Sequence, residues 1–378
     1  MKFTITSNEE DERPVYITGN FNKWNPKDAD FELDTIDSKN FSIEIDDKNL
    51  PEIIEYKYTR GGWGNVEIDR FGNITRNRKI EKSALKTEDQ VEKWRLNWGP
   101  FKKEFSPIVE IISDKFFIPQ LNKTRKIWAL LPYNYHKTTT NYPVLYLQDA
   151  QNLFNEGSDF GNWEIDKKMS ILAEYGRGDV IIIAIENGRE DRIKEYILDD
   201  HSISENAEGK KYIRFLADTL KPYVDSVYRT KPEREFTGIG GSSLGGLISI
   251  YSGFLYPEVY SKLMIFSPSL WINPENNFPQ MNFKKPYDIK VYLYGGEKEG
   301  SEMTERISLF EKNLENWENS NSLQFEFKVS LNDEGKHQEF YWSQEFPRAV
   351  EWLFYDTQED PKELAAKAQL IQNETSEI

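Results

Sequence analysis

The stretch Gly241-Ser242-Ser243-Leu244-Gly245 sets one serine between glycines two positions away on either side. An apolar run at 235–240 precedes it, and Leu247, Ile248, Tyr251, Phe254 and Leu255 follow on one helical stripe. The spacing predicts strand, sharp turn, helix. A serine at such a corner has its oxygen exposed, and the glycines let strand and helix approach closely. The chemistry would be nucleophilic attack on a carbonyl. A serine hydroxyl is a poor nucleophile at neutral pH and needs an adjacent base, most often histidine.

The chain holds three histidines, His136, His201 and His337. His136 and His201 precede the serine. His337 follows the last strand candidate, in the loop before the closing helix, and is the expected base. A carboxylate should orient its imidazole. Glu297 and Glu299, in the segment 293–300 at the end of the preceding strand candidate, can both do this; Glu299 is preferred. Two backbone N–H groups should face the developing oxyanion. Leu244, just after the serine, supplies one, and Gln151, in the loop 147–154, is chosen for the other. Arg189 and Trp163 could line the substrate side, and Arg192 reads as a structural partner of Glu195. Trp271 and Trp342 follow strand ends and could stack an aromatic acyl group or be buried as core. Scattered histidines and the absence of cysteine suggest no metal and no cofactor.

Positioning these groups requires a sheet with its strand ends on one edge. From Pro107 onward, apolar strand candidates at 108–112, 127–131, 144–147, 180–185, 236–239, 263–266, 291–294 and 325–329 alternate with helical stripes such as 211–228 and 301–317. The middle strands are continuous apolar runs, as strands covered on both faces should be. Eight strands with crossover helices predict a mostly parallel α/β domain with its site at the carboxyl ends of the strands. The first eighty or so residues read differently. Val15 and Ile17, then Phe41, Ile43 and Ile45, then Ile54, Tyr56 and Tyr58 alternate with polar residues between turn-rich segments. This predicts a small all-β, immunoglobulin-like sandwich over 1–82. The charged stretch 83–106 reads as a linker pinned by Trp94 and Trp98, leaving 107–378 for the catalytic domain.

The net charge of −16 and pI near 4.9 argue against nucleic acid or an anionic membrane surface as the partner. A small-molecule or glycan ester is the expected partner. No apolar run reaches membrane-spanning length and Met1–Ser7 has no signal-like core, so the chain as written is expected in the cytoplasm, or outside it if a signal has been removed.

Two resemblances extend this reading. Thr18-Gly19-Asn20-Phe21-Asn22-Lys23-Trp24-Asn25-Pro26 and Glu55-Tyr56-Lys57-Tyr58-Thr59-Arg60-Gly61-Gly62-Trp63 resemble starch-binding carbohydrate-binding modules over residues 3 to about 80. Trp24 and Trp63 would then stack on pyranose faces, unless they fill the sandwich core. Over about 107–355, the segments 146–154, 163–166, 192–196, 241–246, 266–271 and 335–337 resemble the esterase D and enterochelin-esterase-like family of α/β-hydrolases, whose relatives include feruloyl and acetylxylan esterases. The resemblance implies an α/β-hydrolase fold and ester hydrolysis through an acyl-enzyme on Ser243, with His337 as base and an acid in Gly296-Glu297-Lys298-Glu299. One position departs from the family pattern: its Asp-Gly-Gln is Asp149-Ala150-Gln151 here, a strained site if the middle residue needs positive φ. The expected substrate is a carbohydrate-linked acetyl or feruloyl ester. A siderophore ester is the alternative, and a catalytically inactive carbohydrate-binding protein is the reading from another class.

Overall fold

The computed structural model describes residues 1–95, 101–199, 205–273, 287–318 and 323–355, so His201 and Trp98 lie outside the described residues. The chain forms two compact units, one built by Met1–Lys103 and one beginning at Glu104.

The first unit contains β1 (Lys2–Ser7), β2 (Tyr16–Gly19), β3 (Asp34–Thr35), β4 (Asn40–Glu44), β5 (Ile53–Thr59), β6 (Glu67–Ile68), β7 (Arg78–Glu81), β8 (Lys86–Val91) and β9 (Lys93–Trp94). They make sheets of order β3-β4-β1-β8 and β2-β5-β7, with a β6-β9 ribbon. The period-two pattern sends Phe3, Ile5 and Phe41 from one sheet and Ile17, Ile54, Tyr56 and Tyr58 from the other into a shared core. The expected linker requires correction. Lys86–Val91 pairs in parallel with β1 along its whole length, and Trp94 is 1% exposed within the core, so this charged stretch is the last part of the sandwich. Its polar residues alternate with Thr87 and Val91, which point inward, and that alternation is easily lost among so many charges. Trp24 and Trp63 stand apart from the core. Their rings lie 6.4 Å apart and tilted by 37°, with Trp63 37% exposed.

The second unit holds β10 (Ile108–Ile118), β11 (Lys123–Leu131), β12 (Val144–Gln148), β13 (Ile181–Ile185), β14 (Thr237–Ser242), β15 (Lys262–Phe266), β16 (Tyr287–Gly296) and β17 (Leu323–Asn332). They form one sheet in the order β10-β11-β13-β12-β14-β15-β16-β17, antiparallel at β10 and β11 and parallel thereafter. This is the α/β-hydrolase arrangement. Its helices are α1 (Ile165–Glu174), α2 (Arg192–Tyr196), α3 (Gly209–Phe215), α4 (Lys221–Val227), α5 (Leu244–Leu255), α6 (Ser301–Glu318) and α7 (Glu339–Phe354). The helix expected over 211–228 is interrupted by a π turn at Leu216–Leu220, just before Pro222. Proline has no N–H to continue the α ladder, and a wider turn accommodates the gap.

β12, β13 and β14 are buried at every residue, as strands covered on both faces should be; β13 is wholly apolar, and β14 is mostly glycine and small residues. Neighbouring strands β14 to β17 all run the same way, and their ladders carry Ser242 beside Phe266, Phe266 beside Tyr294 and Gly296 beside Asn332. The loops that follow these ends therefore gather on one edge of the sheet. His136 lies in the turn after β11, which runs antiparallel, so it is exposed at the other edge.

The glycines of the elbow are required by packing. A Cβ on Gly241 would lie 2.9 Å from the carbonyl carbon of Gly245, and one on Gly245 would lie 2.8 Å from Asp149 Oδ2 and 3.1 Å from Gln148 Cβ. Gly245→Ala is therefore expected to destabilise the catalytic unit by about 1–3 kcal/mol in urea denaturation. An unchanged midpoint would show that α5 is not held this tightly against the loop after β12.

Candidate active site

Ser243 occupies the first position before α5 with φ 56° and ψ −123°, a region that non-glycine residues rarely adopt. The conformation is held from both sides: Ser243 N–H donates to Phe266 O (3.0 Å), and its carbonyl accepts from Leu247 N–H and Ser269 N–H, both at 3.1 Å. Its Oγ lies 3.2 Å from Ser269 Oγ. The hydroxyl is thus aimed outward at the carboxyl edge, over the positive end of the α5 dipole.

The next strand ends bring up the other groups. After β16, Glu299 is fully buried at its side chain and accepts three hydrogen bonds: from Gly296 N–H (2.7 Å), from Ser267 Oγ (2.6 Å) and from His337 Nδ1 (2.7 Å). A carboxylate can only accept, so Nδ1 carries the proton and Nε2 presents a free lone pair. The histidine side chain is 42% exposed and open to a reactant. Two glycines allow this pairing. Gly335 and Gly296 meet backbone to backbone, a Cβ on Gly296 would lie 2.3 Å from Gly335 carbonyl carbon, and Lys298 N–H donates to Gly335 O (2.9 Å). Of the two candidate acids, Glu299 faces His337, while Glu297 is exposed.

The loop after β12 differs from expectation in one detail. Asp149, not Ala150, takes the left-handed conformation, at φ 62°, and Ala150 begins a 3-10 turn, so alanine there is unstrained. Aspartate tolerates that region better than most residues. Its carboxylate is fastened by Arg192 Nε (2.7 Å) and Nη2 (2.8 Å) and by Asn187 Nδ2 (2.7 Å). Burial alone would weaken the Arg192 charge, but the bidentate contact with Asp149 reverses this and holds its pKa above the usual value. The expected Arg192–Glu195 pair does not form; Glu195 takes Arg125 and Lys123 instead. Gln151 is locked by its side chain, which gives Nε2 to Asn187 O and Oδ1 at 3.3 Å and accepts Asn187 N–H at 3.1 Å. Among the described residues neither the Gln151 N–H nor the Leu244 N–H is taken up by another group of the protein. Both remain available to a reactant oxygen.

The tryptophans divide. Trp163 is 2% exposed and stacks on Phe266 at 5.2 Å, so it belongs to the core and does not line the substrate side. Trp342 is likewise buried, donating Nε1–H to Ser267 Oγ (2.9 Å) while its ring stands edge-on to His337 at 5.0 Å. Neither is free to stack an acyl group. Trp271, two residues beyond Ser269, is 46% exposed, and Arg189 is exposed with φ 54° and its N–H on Asn187 Oδ1 (2.8 Å). Phe160 and Phe340 are also exposed, and they flank a close contact in which a Cβ on Gly161 would lie 3.0 Å from Glu339 Cβ.

Sequence reasoning passed over Ser267, Ser269, Asn187 and Glu339. Ser267 and Ser269 follow directly on a strand end beside the elbow, a placement that could have singled them out. Glu339, two residues past His337, is buried and accepts from Asn152 Nδ2 (3.0 Å). Burial raises its pKa, partly offset by its own backbone N–H, by His337 and by Asn152.

The loop after β12, Ser243, Ser267, Glu299 and His337 thus follow five adjacent strand ends, those of β12, β14, β15, β16 and β17, on one edge of the sheet. A 243-residue stretch, 61% of this chain and 92% of the relative, is 24% identical to the uncharacterized protein YbbA of Bacillus subtilis. An 86-residue stretch, 22% of this chain and 6% of the relative, is 35% identical to an alpha-amylase of Niallia circulans. Among solved structures, an IroE-like serine hydrolase from Shewanella oneidensis is similar in fold, with TM-score 0.50 and 16% identity over 71% of this chain and 87% of that one. The Esterase family matches residues 118–353, which contain the elbow, the Glu299–His337 pair and the loop after β12. With more than half of its length matched, the chain belongs to the Esterase family and is a carboxylic ester hydrolase.

Proposed function

We propose that the protein cleaves carboxylic esters through an acyl-enzyme on Ser243, and that its substrate is a carbohydrate-linked ester with an aromatic acyl group, of the feruloyl type. The observation that carries the mechanism is the Glu299–His337 hydrogen bond of 2.7 Å, set after β16 and β17 on the same sheet edge as the elbow. In the first step Ser243 Oγ attacks the ester carbonyl as its proton passes to His337 Nε2. Glu299 stabilises the imidazolium and stays ionised. The carbonyl oxygen becomes an oxyanion that the Leu244 and Gln151 N–H groups can hold, each contributing about 3 kcal/mol at good geometry. Collapse of the tetrahedral intermediate breaks the bond to the alkoxy oxygen, which receives the proton from His337. Water then gives a proton to the same nitrogen and attacks the acyl carbon; collapse of the second tetrahedral intermediate breaks the bond to Ser243 Oγ, which takes that proton back from His337 as the acid leaves.

Two observations support the substrate class. Three exposed rings, Trp271, Phe160 and Phe340, follow three different strand ends on the sheet edge that carries the elbow and present flat apolar surface. In the first unit, the tilted Trp24–Trp63 pair offers a platform for pyranose faces, in line with the resemblance of its two motifs.

Ser243→Ala should lower kcat/KM for p-nitrophenyl acetate by on the order of 10⁴-fold, with no loss of folded protein by circular dichroism. Full activity in this variant would end the acyl-enzyme reading. Trp271→Ala should raise KM for a feruloyl ester about 3- to 10-fold while leaving the acetyl ester within twofold; equal changes for both would remove the aromatic subsite. The double replacement Trp24→Ala with Trp63→Ala should abolish pull-down on insoluble starch without changing hydrolysis of p-nitrophenyl acetate, and unchanged pull-down would refute glycan binding by this pair.

A further inference from the structure

The Glu299–His337 pair is closed into a ring by two residues that take no direct part in the acyl transfer. Glu299 Oε2 meets His337 Nδ1 at 2.7 Å; the imidazole stands edge-on to Trp342 at 5.0 Å; Trp342 Nε1–H donates to Ser267 Oγ at 2.9 Å; and Ser267 Oγ donates to Glu299 Oε1 at 2.6 Å. We propose that Ser267 and Trp342 are positioning residues for the acid–base pair, fixing both the carboxylate and the imidazole through this closed ring.

Each member has a reason to be where it is. Ser267 sits at φ 43°, in the left-handed region that a non-glycine residue enters at a cost, and is held there by its N–H on Tyr294 O (2.7 Å). That conformation turns its side chain into the sheet edge. It is fully buried, and its hydroxyl has one proton to give and lone pairs to receive, so it can serve both neighbours at once. Glu299 needs such a partner. Its Oε1 is shared between Ser267 Oγ and Gly296 N–H, which leaves Oε2 as the atom facing the imidazole. Without the hydroxyl, Oε1 is held by the Gly296 N–H alone, and the carboxylate is less firmly fixed about its last bond. Trp342 does the complementary work on the histidine. Its ring, perpendicular to the imidazole at 5.0 Å, limits the imidazole's movement on that side, and its N–H fixes the lone pairs of Ser267 so that the serine proton points at Glu299. A base that must accept a proton from Ser243 and return it to a leaving alcohol tolerates little misplacement, since an error of about 1 Å can cost on the order of 100-fold in rate.

This inference rests on the acyl-enzyme reading, and Ser243→Ala separates the two. If Ser243→Ala leaves activity intact, the mechanism itself fails. If Ser243→Ala is inactive, the ring is tested by Ser267→Ala, Ser267→Gly, Trp342→Phe and the double variant Ser267→Ala with Trp342→Phe, using p-nitrophenyl acetate. The expected result is a fall in kcat of about 10- to 100-fold for both Ser267 variants with KM within twofold. Trp342→Phe keeps an aromatic ring at this position while losing the N–H and the pyrrole half of the indole, and it leaves the Ser267 hydroxyl in place for Glu299, so its loss should be smaller. The double variant should be no slower than Ser267→Ala alone, because both changes break the same chain of contacts. The downfield proton resonance of His337 Nδ1–H should shift or broaden in Ser267→Ala and in Trp342→Phe, a change that a role in folding alone would not produce. Ser267→Gly is the discriminating control, since it relieves the left-handed backbone but lacks the hydroxyl. Wild-type kcat in Ser267→Gly, an effect confined to KM, multiplicative losses in the double variant, or an unmoved resonance would each overturn the proposal. If Ser267→Ala does not fold, Trp342→Phe and its resonance decide alone.

Discussion

The catalytic unit is organised around one unfavourable backbone conformation. A serine at φ 56° and ψ −123° costs on the order of 1–3 kcal/mol, and it persists only where its surroundings over-determine it. Here they do. The Ser243 N–H and carbonyl are hydrogen-bonded to the end of β15, to Ser269 beyond it and to the first turn of α5, while Gly241, Gly245 and Gly246 let strand, helix and the loop after β12 come within contact distance. The elbow therefore does more than expose a hydroxyl. It locks β14, β15 and α5 together at the edge where the remaining groups arrive.

The second constraint is charge. Three carboxylates lie buried around the elbow in a protein whose net charge is already −16, and each is neutralised in its own way. Asp149 is paired with Arg192 and amide-bonded to Asn187, which makes it a fixed strut of the loop carrying Gln151. Glu299 receives Gly296, Ser267 and His337, so its charge is aimed at the imidazole. Glu339 has an amide partner in Asn152, and burial pushes its pKa upward. Removing Arg192 would leave the Asp149 charge buried without its counter-ion, a more serious fault than losing a surface ion pair.

The parts of this arrangement that follow from periodicity were legible in the sequence. Eight strand positions and the elbow require only apolar spacing and the rule that parallel strands present their carboxyl ends together, while the choice of His337 and of an acid before it follows the α/β-hydrolase order of serine, acid and histidine. Contacts across the chain were not legible. Arg192 is three residues from Glu195 and 43 from Asp149, so helical spacing favours the wrong partner; only the left-handed turn at Asp149 brings the right one into reach. The stretch 86–94 failed for a different reason. Its strands carry charges on the outward face, and a composition-based boundary discards them although β1 pairs with them residue by residue.

The tryptophans show where the limit lies. Trp163, Trp271 and Trp342 all follow strand ends of the same domain, and nothing in their local sequence separates them. The fold sends Trp163 against Phe266 in the core, turns Trp342 so that its one polar atom finds Ser267, and leaves Trp271 at the rim. An indole is large enough to be buried in any of these places and has a single N–H that needs a partner when it is. Its role is therefore decided by whether a hydrogen-bond acceptor waits at the burial site. At Trp342 that acceptor is Ser267, itself made available by a backbone turn that only the paired strands can impose, so the identity of the residue that orients the base becomes visible only once the sheet is assembled.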